Sequence, residues 1–149
     1  MVIFFTLLTV QAEPNCLLTQ CDNRSTTPSS TQQSVLQQPL QACGTTPITG
    51  FFRDGFCHTN AQDQGVHVVC AEMTTAFLLF TKLQGNDLST PKPNYNFPGL
   101  QPGDRWCLCA QRWYEANQAG VAPKVILEAT HSKALQTVPL TDLFTQATN

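Results

Sequence analysis

Charge is scarce in this sequence. Asp, Glu, Lys and Arg make up 12% of its 149 residues, about half the usual ~25% share. Gln, Thr, Ser and Asn must therefore carry much of the surface. The eight Lys and Arg residues form no cluster, and the formal net charge is −2. A nucleic-acid partner is not expected on that ground, because phosphate binding needs a concentrated basic face. Long apolar runs are lacking too. The stretch from Val2 to Val10 is far too short for a bilayer helix, which takes ~20 residues, so no membrane span is expected.

What remains is ample for one folded unit. A chain of 149 residues, 42% of them hydrophobic, can bury a real core without staples. The first twelve residues stand apart. Val10-Gln11-Ala12 offers a small-residue cleavage pattern after the apolar stretch, as in a secretory signal, yet no Lys or Arg precedes it. A terminal strand is the competing reading. The expected setting is cytoplasmic, with secretion or an organelle as the alternative if residues 1–12 act as a signal.

From Asp22 to Gln38 the chain is mostly Ser, Thr, Gln, Pro and Asn. Such a stretch buries too little to offset its ordering entropy, so residues 13–38 read as a linker that includes Cys16 and Cys21. A single globular domain is expected over residues 39–149. Within it, Ile48 to Arg53 is a weak strand, Val66 to Ala71 a β-branched buried strand, and Val125 to Thr130 a third. Thr74 caps a helix through Gln84 with Phe77, Phe80 and Leu83 on one side, and Gly85-Asn86 stops it. Thr130 caps a short helix from His131 to Gln136, and Thr141 to Ala147 is a last helical turn or two. Between Asn86 and Gly103, four prolines with Tyr95, Phe97 and Leu100 suggest an ordered, packed loop. The expected fold is α+β: a small sheet of about three strands against two main helices, with this long Pro-rich loop.

Both tryptophans fall in one segment, Gly103-Asp104-Arg105-Trp106-Cys107-Leu108-Cys109-Ala110-Gln111-Arg112-Trp113. Trp106, Cys109, Ala110, Trp113 and Ala116 follow a helical spacing, with Asp104 as N-cap and Gly120 as stop. A helix over 104–119 is therefore expected. It turns Cys109 to the core and sets Cys107 on the flank.

That geometry disfavours a metal. Cys107 and Cys109 diverge on a helix, and His67 and Cys70 face opposite sides of a strand, so no pair matches a zinc knuckle. No metal and no cofactor are expected, with a structural Cys/His metal site as a lesser alternative. Seven cysteines cannot all pair within the chain. Buried structural thiols are the expected state, and an even subset would pair if the chain is secreted. For covalent chemistry the candidates are Cys107 as nucleophile, His131 at a helix start as base, and Asp87 as a carboxylate. Each has a plainer reading, in core packing or turn capping.

Several stretches, taken together, resemble a known family. They are Thr49-Gly50-Phe51-Phe52-Arg53-Asp54-Gly55, Val69-Cys70-Ala71-Glu72-Met73-Thr74, Gly85-Asn86-Asp87-Leu88-Ser89-Thr90-Pro91, Phe97-Pro98-Gly99-Leu100, Pro102 to Ala110, and Leu127-Glu128-Ala129-Thr130-His131. In order and spacing they resemble the small, mostly bacterial proteins grouped as domain of unknown function 2237. The resemblance implies a compact α+β domain and brings no reaction with it.

These stretches place polar residues in turns at strand and helix ends. Arg53, Asp54, Asn86, Asp87, Ser89, Asp104 and Arg105 are expected to converge on a polar pocket near the start of the 104–119 helix. The two arginines there would favour an anion. The leading expectation is a non-catalytic domain that binds a small anionic ligand or a protein partner. A thiol- or histidine-dependent enzyme is the alternative.

Overall fold

The computed structural model describes residues 32–149. The apolar segment 1–12, Cys16, Cys21 and most of the 13–38 stretch lie outside the described residues. The architecture is α+β, as expected. The β-branched run forms β1 (His67–Glu72), whose inner residues Val68 to Ala71 are all buried. It pairs antiparallel with β2 (Arg105–Cys109), with Cys70 opposite Cys107 and His67 opposite Cys109.

β2 corrects the helix expected over 104–119. The segment divides into a strand and a helix, α2 (Ala110–Gln118). Trp106, Cys107 and Leu108 are consecutive and all buried. One face of a helix cannot hold three consecutive residues, whereas a strand covered on both sides can. The helical spacing survives in α2, where Ala110, Trp113 and Ala116 are the buried residues.

The sheet among the described residues has two strands, not about three. Val125 alone bridges to Ala71, and the chain then tightens into a 3₁₀ turn at Leu127–Ala129. Thr130 explains the break. Its hydroxyl accepts from the Cys70 N–H at 3.1 Å and donates to the Ile126 carbonyl at 2.9 Å, so a side chain takes over bonds that a third strand would make. The weak strand at Ile48 to Arg53 is instead a turn, because Gly50 and Arg53 have φ of 95° and 56°, outside the β region.

Helix α1 (Thr75–Leu83) starts where expected, with the Thr74 hydroxyl accepting from the Phe77 N–H at 3.1 Å. Its buried face is Phe77, Leu78 and Thr81, while Leu83, expected on that face, is 75% exposed. The next cap differs from expectation. His131, not Thr130, caps a 3₁₀ turn at Ser132–Gln136, its Nδ1 accepting from the Lys133 N–H. Helix α3 (Leu140–Thr145) closes the domain. In the Pro-rich loop Phe97 and Leu100 are buried as expected, but Tyr95 is 72% exposed.

Order also extends into the stretch read as linker. Ser34 and Val35 are buried, and the Val35 N–H donates to the Thr130 carbonyl. Beside the main core lies a smaller cluster of Cys43, Cys57, Cys70, Cys107 and Ala129. There Cys43 bonds to Cys70 and Cys57 to Cys107. Because Cys70 and Cys107 are cross-strand neighbours, the 43–57 segment is clipped to both strands at one level.

That segment turns on Gly50. A Cβ there would sit 2.3 Å from the Phe56 carbonyl oxygen, at a φ of 95°. Gly50→Ala is expected to lower stability by roughly 1–3 kcal/mol, read as an earlier urea midpoint. An unchanged midpoint would mean that the turn has room to relax.

Candidate functional site

A pocket of about 560 Å³ opens between the sheet, the 50–53 turn and the Pro-rich loop. Its chemistry-bearing walls are Arg53, His67, Asn86, Lys92, Trp106 and Cys109. The Arg53 guanidinium carbon lies 5.0 Å from the Trp106 ring centre, within cation–π range. Phe97 packs edge-on behind that ring, with centroids 5.2 Å apart.

Arg53 is held by carbonyls rather than by a counter-charge. Nη1 donates to Gly50 and Nη2 donates to Tyr95 at 3.4 Å. Nε is buried and has no acceptor. Among the described residues, no carboxylate lies in ion-pair contact with Arg53. Partial burial pulls its pKa below the ordinary value, since the charged form loses hydration.

At another wall stands an oriented histidine. Asp63 is 2% exposed, and its carboxylate accepts from the Thr59 hydroxyl at 2.9 Å and the His67 backbone N–H at 2.8 Å. Its other oxygen lies 2.6 Å from His67 Nδ1. A carboxylate can only accept, so Nδ1 carries the proton and Nε2 is left as the basic nitrogen of the neutral ring. Phe51 stacks on the ring with planes 19° apart. Gly65 completes the seat, because a Cβ there would lie 2.3 Å from the ring. His67 is paired in the β1–β2 register, just beyond a shift between His67 and Val69, with Cys109, a half-buried free thiol.

The structure gathers two of the expected ligand residues, Arg53 and Asn86, into this pocket. The other five do not line it. Arg105 precedes Trp106 on β2 and is exposed, its Cβ close to Gly44. Asp104 accepts from the Gln101 N–H at 2.8 Å, closing a turn. Asp54 accepts from the Phe56 N–H and pairs with His58. Burial raises the Asp54 pKa, but hydrogen bonds from His58 and Phe56 outweigh it and leave it below the ordinary value.

Asp87 caps the turn that holds Ser89. The Thr90 hydroxyl and the Ser89 N–H donate to it, with Lys82 at 3.5 Å, and its pKa falls from 3.8 to about 2. A depressed carboxylate stabilises the fold at higher pH. This contribution is therefore full above the ordinary value and is lost as pH falls through about 2. A carboxyl-carbon NMR titration should find a midpoint near 2, and Thr90→Val should move it up toward 3.8. An unmoved midpoint would remove Thr90 as the cause.

Among the expected catalytic residues, Cys107 needs correction. Cys107 is bonded to Cys57 and is no nucleophile. His131 is 5% exposed and uses Nδ1 in its turn, while Asp87 is spent on capping. The sulfurs of Cys43, Cys57 and Cys70 lie within 4.8 Å of one another, but as disulfides they offer no thiolate to a metal.

Sequence reasoning missed His67, Asp63 and Cys109 as a group. The helix reading turned Cys109 away from β1, and Asp63 lay unremarked in a polar turn. An Asp-x3-His spacing just before a buried strand was the available signal, and alone it is weak.

A family profile described as an uncharacterized protein conserved in bacteria (DUF2237) matches residues 33–147. The chain belongs to this family. The match begins where the described packing begins, at Gln33 and Ser34, so the buried Val35 is part of the DUF2237 domain. It also spans every residue of the pocket. No curated protein matches the chain. No helix among the described residues is long and apolar enough to cross a membrane.

Proposed function

We propose that this DUF2237 domain binds a small anionic ligand with an apolar or aromatic body in the Arg53–Trp106 pocket. One observation carries the reading: a partly desolvated guanidinium faces a cavity with no carboxylate partner among the described residues. An arriving carboxylate or phosphate would restore the solvation that Arg53 gave up. Trp106 and Phe97 offer apolar surface for the ligand's body, and Asn86 and Lys92 add polar contacts at the wall.

Benzoate and inorganic phosphate are the probes, titrated while the Trp106 indole N–H is followed by NMR. Arg53→Gln should weaken binding by about 10- to 100-fold, the worth of a hydrogen bond to a charged group at roughly 1.5–3 kcal/mol. Equal affinities for the two proteins, or an indole signal that never moves, would sink the reading.

The two buried disulfides favour an oxidising compartment over the cytoplasmic setting expected from the sequence, because cytosolic thiols are kept reduced. Thiol counting on denatured protein from its native host tests this. Free Cys43, Cys57, Cys70 and Cys107 there would return the domain to the cytoplasm.

A further inference from the structure

We propose that Cys109, His67 and Asp63 form a nucleophile, base and positioning residue for acyl transfer from a small ester or thioester. Three observations converge. Cys109 is the free thiol among the described cysteines, the other four being bonded in pairs. It lies opposite His67 in the strand register, and both line the same pocket. The pairing shifts register between His67 and Val69, and such an irregularity sets two residues of one strand against one of the other and re-aims a side chain, a feature over-represented beside active sites. His67 in turn is fixed by a fully buried carboxylate that leaves Nε2 as the base. A cysteine nucleophile needs this order of parts: thiol, base, and a group that orients the base. Helix α2 begins immediately after Cys109, so the positive end of its dipole favours negative charge at that point.

The reaction balances without an oxidant or cofactor. His67 Nε2 takes the thiol proton as Cys109 Sγ bonds to the carbonyl carbon, and the carbonyl π pair moves to oxygen. Collapse breaks the bond to the leaving alcohol or thiol, which departs with the proton from His67. Water then attacks the acyl carbon as His67 removes its proton. The carbon–sulfur bond breaks, Cys109 regains the proton, and a carboxylic acid leaves.

The substrate's charge rests on the anion-binding reading, and the acyl transfer itself does not. Two probes separate them: 4-nitrophenyl acetate, which is neutral, and 4-nitrophenyl hydrogen succinate, which carries a carboxylate. The expected result is a burst of one nitrophenol per chain, with the acyl group mapped to Cys109 by mass spectrometry. Cys109→Ser should abolish the burst. His67→Gln, which keeps a side-chain N–H donor for Asp63 and whose folding is checked by an unchanged urea midpoint, should slow acylation by about 100- to 10,000-fold. Asp63→Asn should lower kcat while KM stays within about twofold.

Acylation of Cys109 no faster than that of a free cysteine, or unaffected by His67→Gln, would overturn the proposal. So would an Asp63→Asn loss confined to KM. If both esters react equally and Arg53→Gln changes neither, acyl transfer stands and the anion-binding reading fails. If only the acylation fails while benzoate still binds, the reverse holds.

Discussion

Removing the Cys57–Cys107 disulfide by Cys57→Ala with Cys107→Ala is expected to lower stability by about 4 kcal/mol. The bond joins residues 50 apart in sequence, and closing a loop of that size removes roughly 4 kcal/mol of unfolded-state entropy at room temperature. The Cys43–Cys70 bond, with a separation of 27, should be worth slightly less, about 3.5 kcal/mol. At roughly 4 °C per kcal/mol for a domain of this size, loss of the longer link should lower Tm by about 15 °C. The position of the bond supports a large effect. It ties the turn that carries Gly50 and Arg53 to the centre of β2, so its loss releases one wall of the pocket with the core. Thermal unfolding of the double variant, and of the parent protein with a phosphine reductant, measures it. An unchanged Tm in both would mean that packing alone holds the 43–57 segment.

Trp113→Ala should be comparably damaging. Trp113 is fully buried and heads the residues in that state by volume, and its indole N–H donates to the Pro123 carbonyl at 3.1 Å. Truncation removes the apolar contacts and leaves a cavity, together costing about 3–5 kcal/mol. It also orphans that carbonyl, which fixes the chain as it turns from α2 toward Val125. Trp113→Phe separates the two contributions, since it keeps most of the volume and loses the hydrogen bond, worth about 1 kcal/mol. Leu83→Ala is the control, as this side chain is 75% exposed and should change stability by less than about 0.5 kcal/mol. Urea unfolding of the three variants gives the comparison. Similar midpoints for Trp113→Ala and Leu83→Ala would contradict the core assignment.

Of the seven residues expected to converge on a polar pocket, Arg53 and Asn86 line the cavity. Both were singled out because they are polar residues in turns beside strand or helix ends, where loops carry binding groups. Arg105 was grouped with them because a helix starting at Asp104 would have set it at a dipole end. As the first residue of β2 it is exposed beside Gly44 instead and does not line the pocket. The same helix reading put the thiol candidate at Cys107 rather than at Cys109, the free cysteine among the described residues. On a helix the two cysteines diverge. On the strand Cys107 meets Cys57, and Cys109 comes opposite His67.

What the sequence by itself determined lies within a few residues of its cause. The Thr74 hydroxyl caps α1 three residues on, the β-branched run forms the strand His67–Glu72 with Val68 to Ala71 buried, and the spacing of Ala110, Trp113 and Ala116 defines the buried face of α2. The tertiary structure alone decided the rest. The strand at Arg105–Cys109, the cystine pairs, the broken third strand and the His67–Cys109 meeting all depend on partners far along the chain. Their separations run from 27 and 50 residues for the disulfides to 60 for the Cys70–Thr130 hydrogen bond. Local periodicity is set by backbone geometry and can be read from neighbours. Strand pairing and cysteine pairing are set by which distant surfaces bury each other, and there the tertiary contacts overrode a helical pattern that the local sequence favoured.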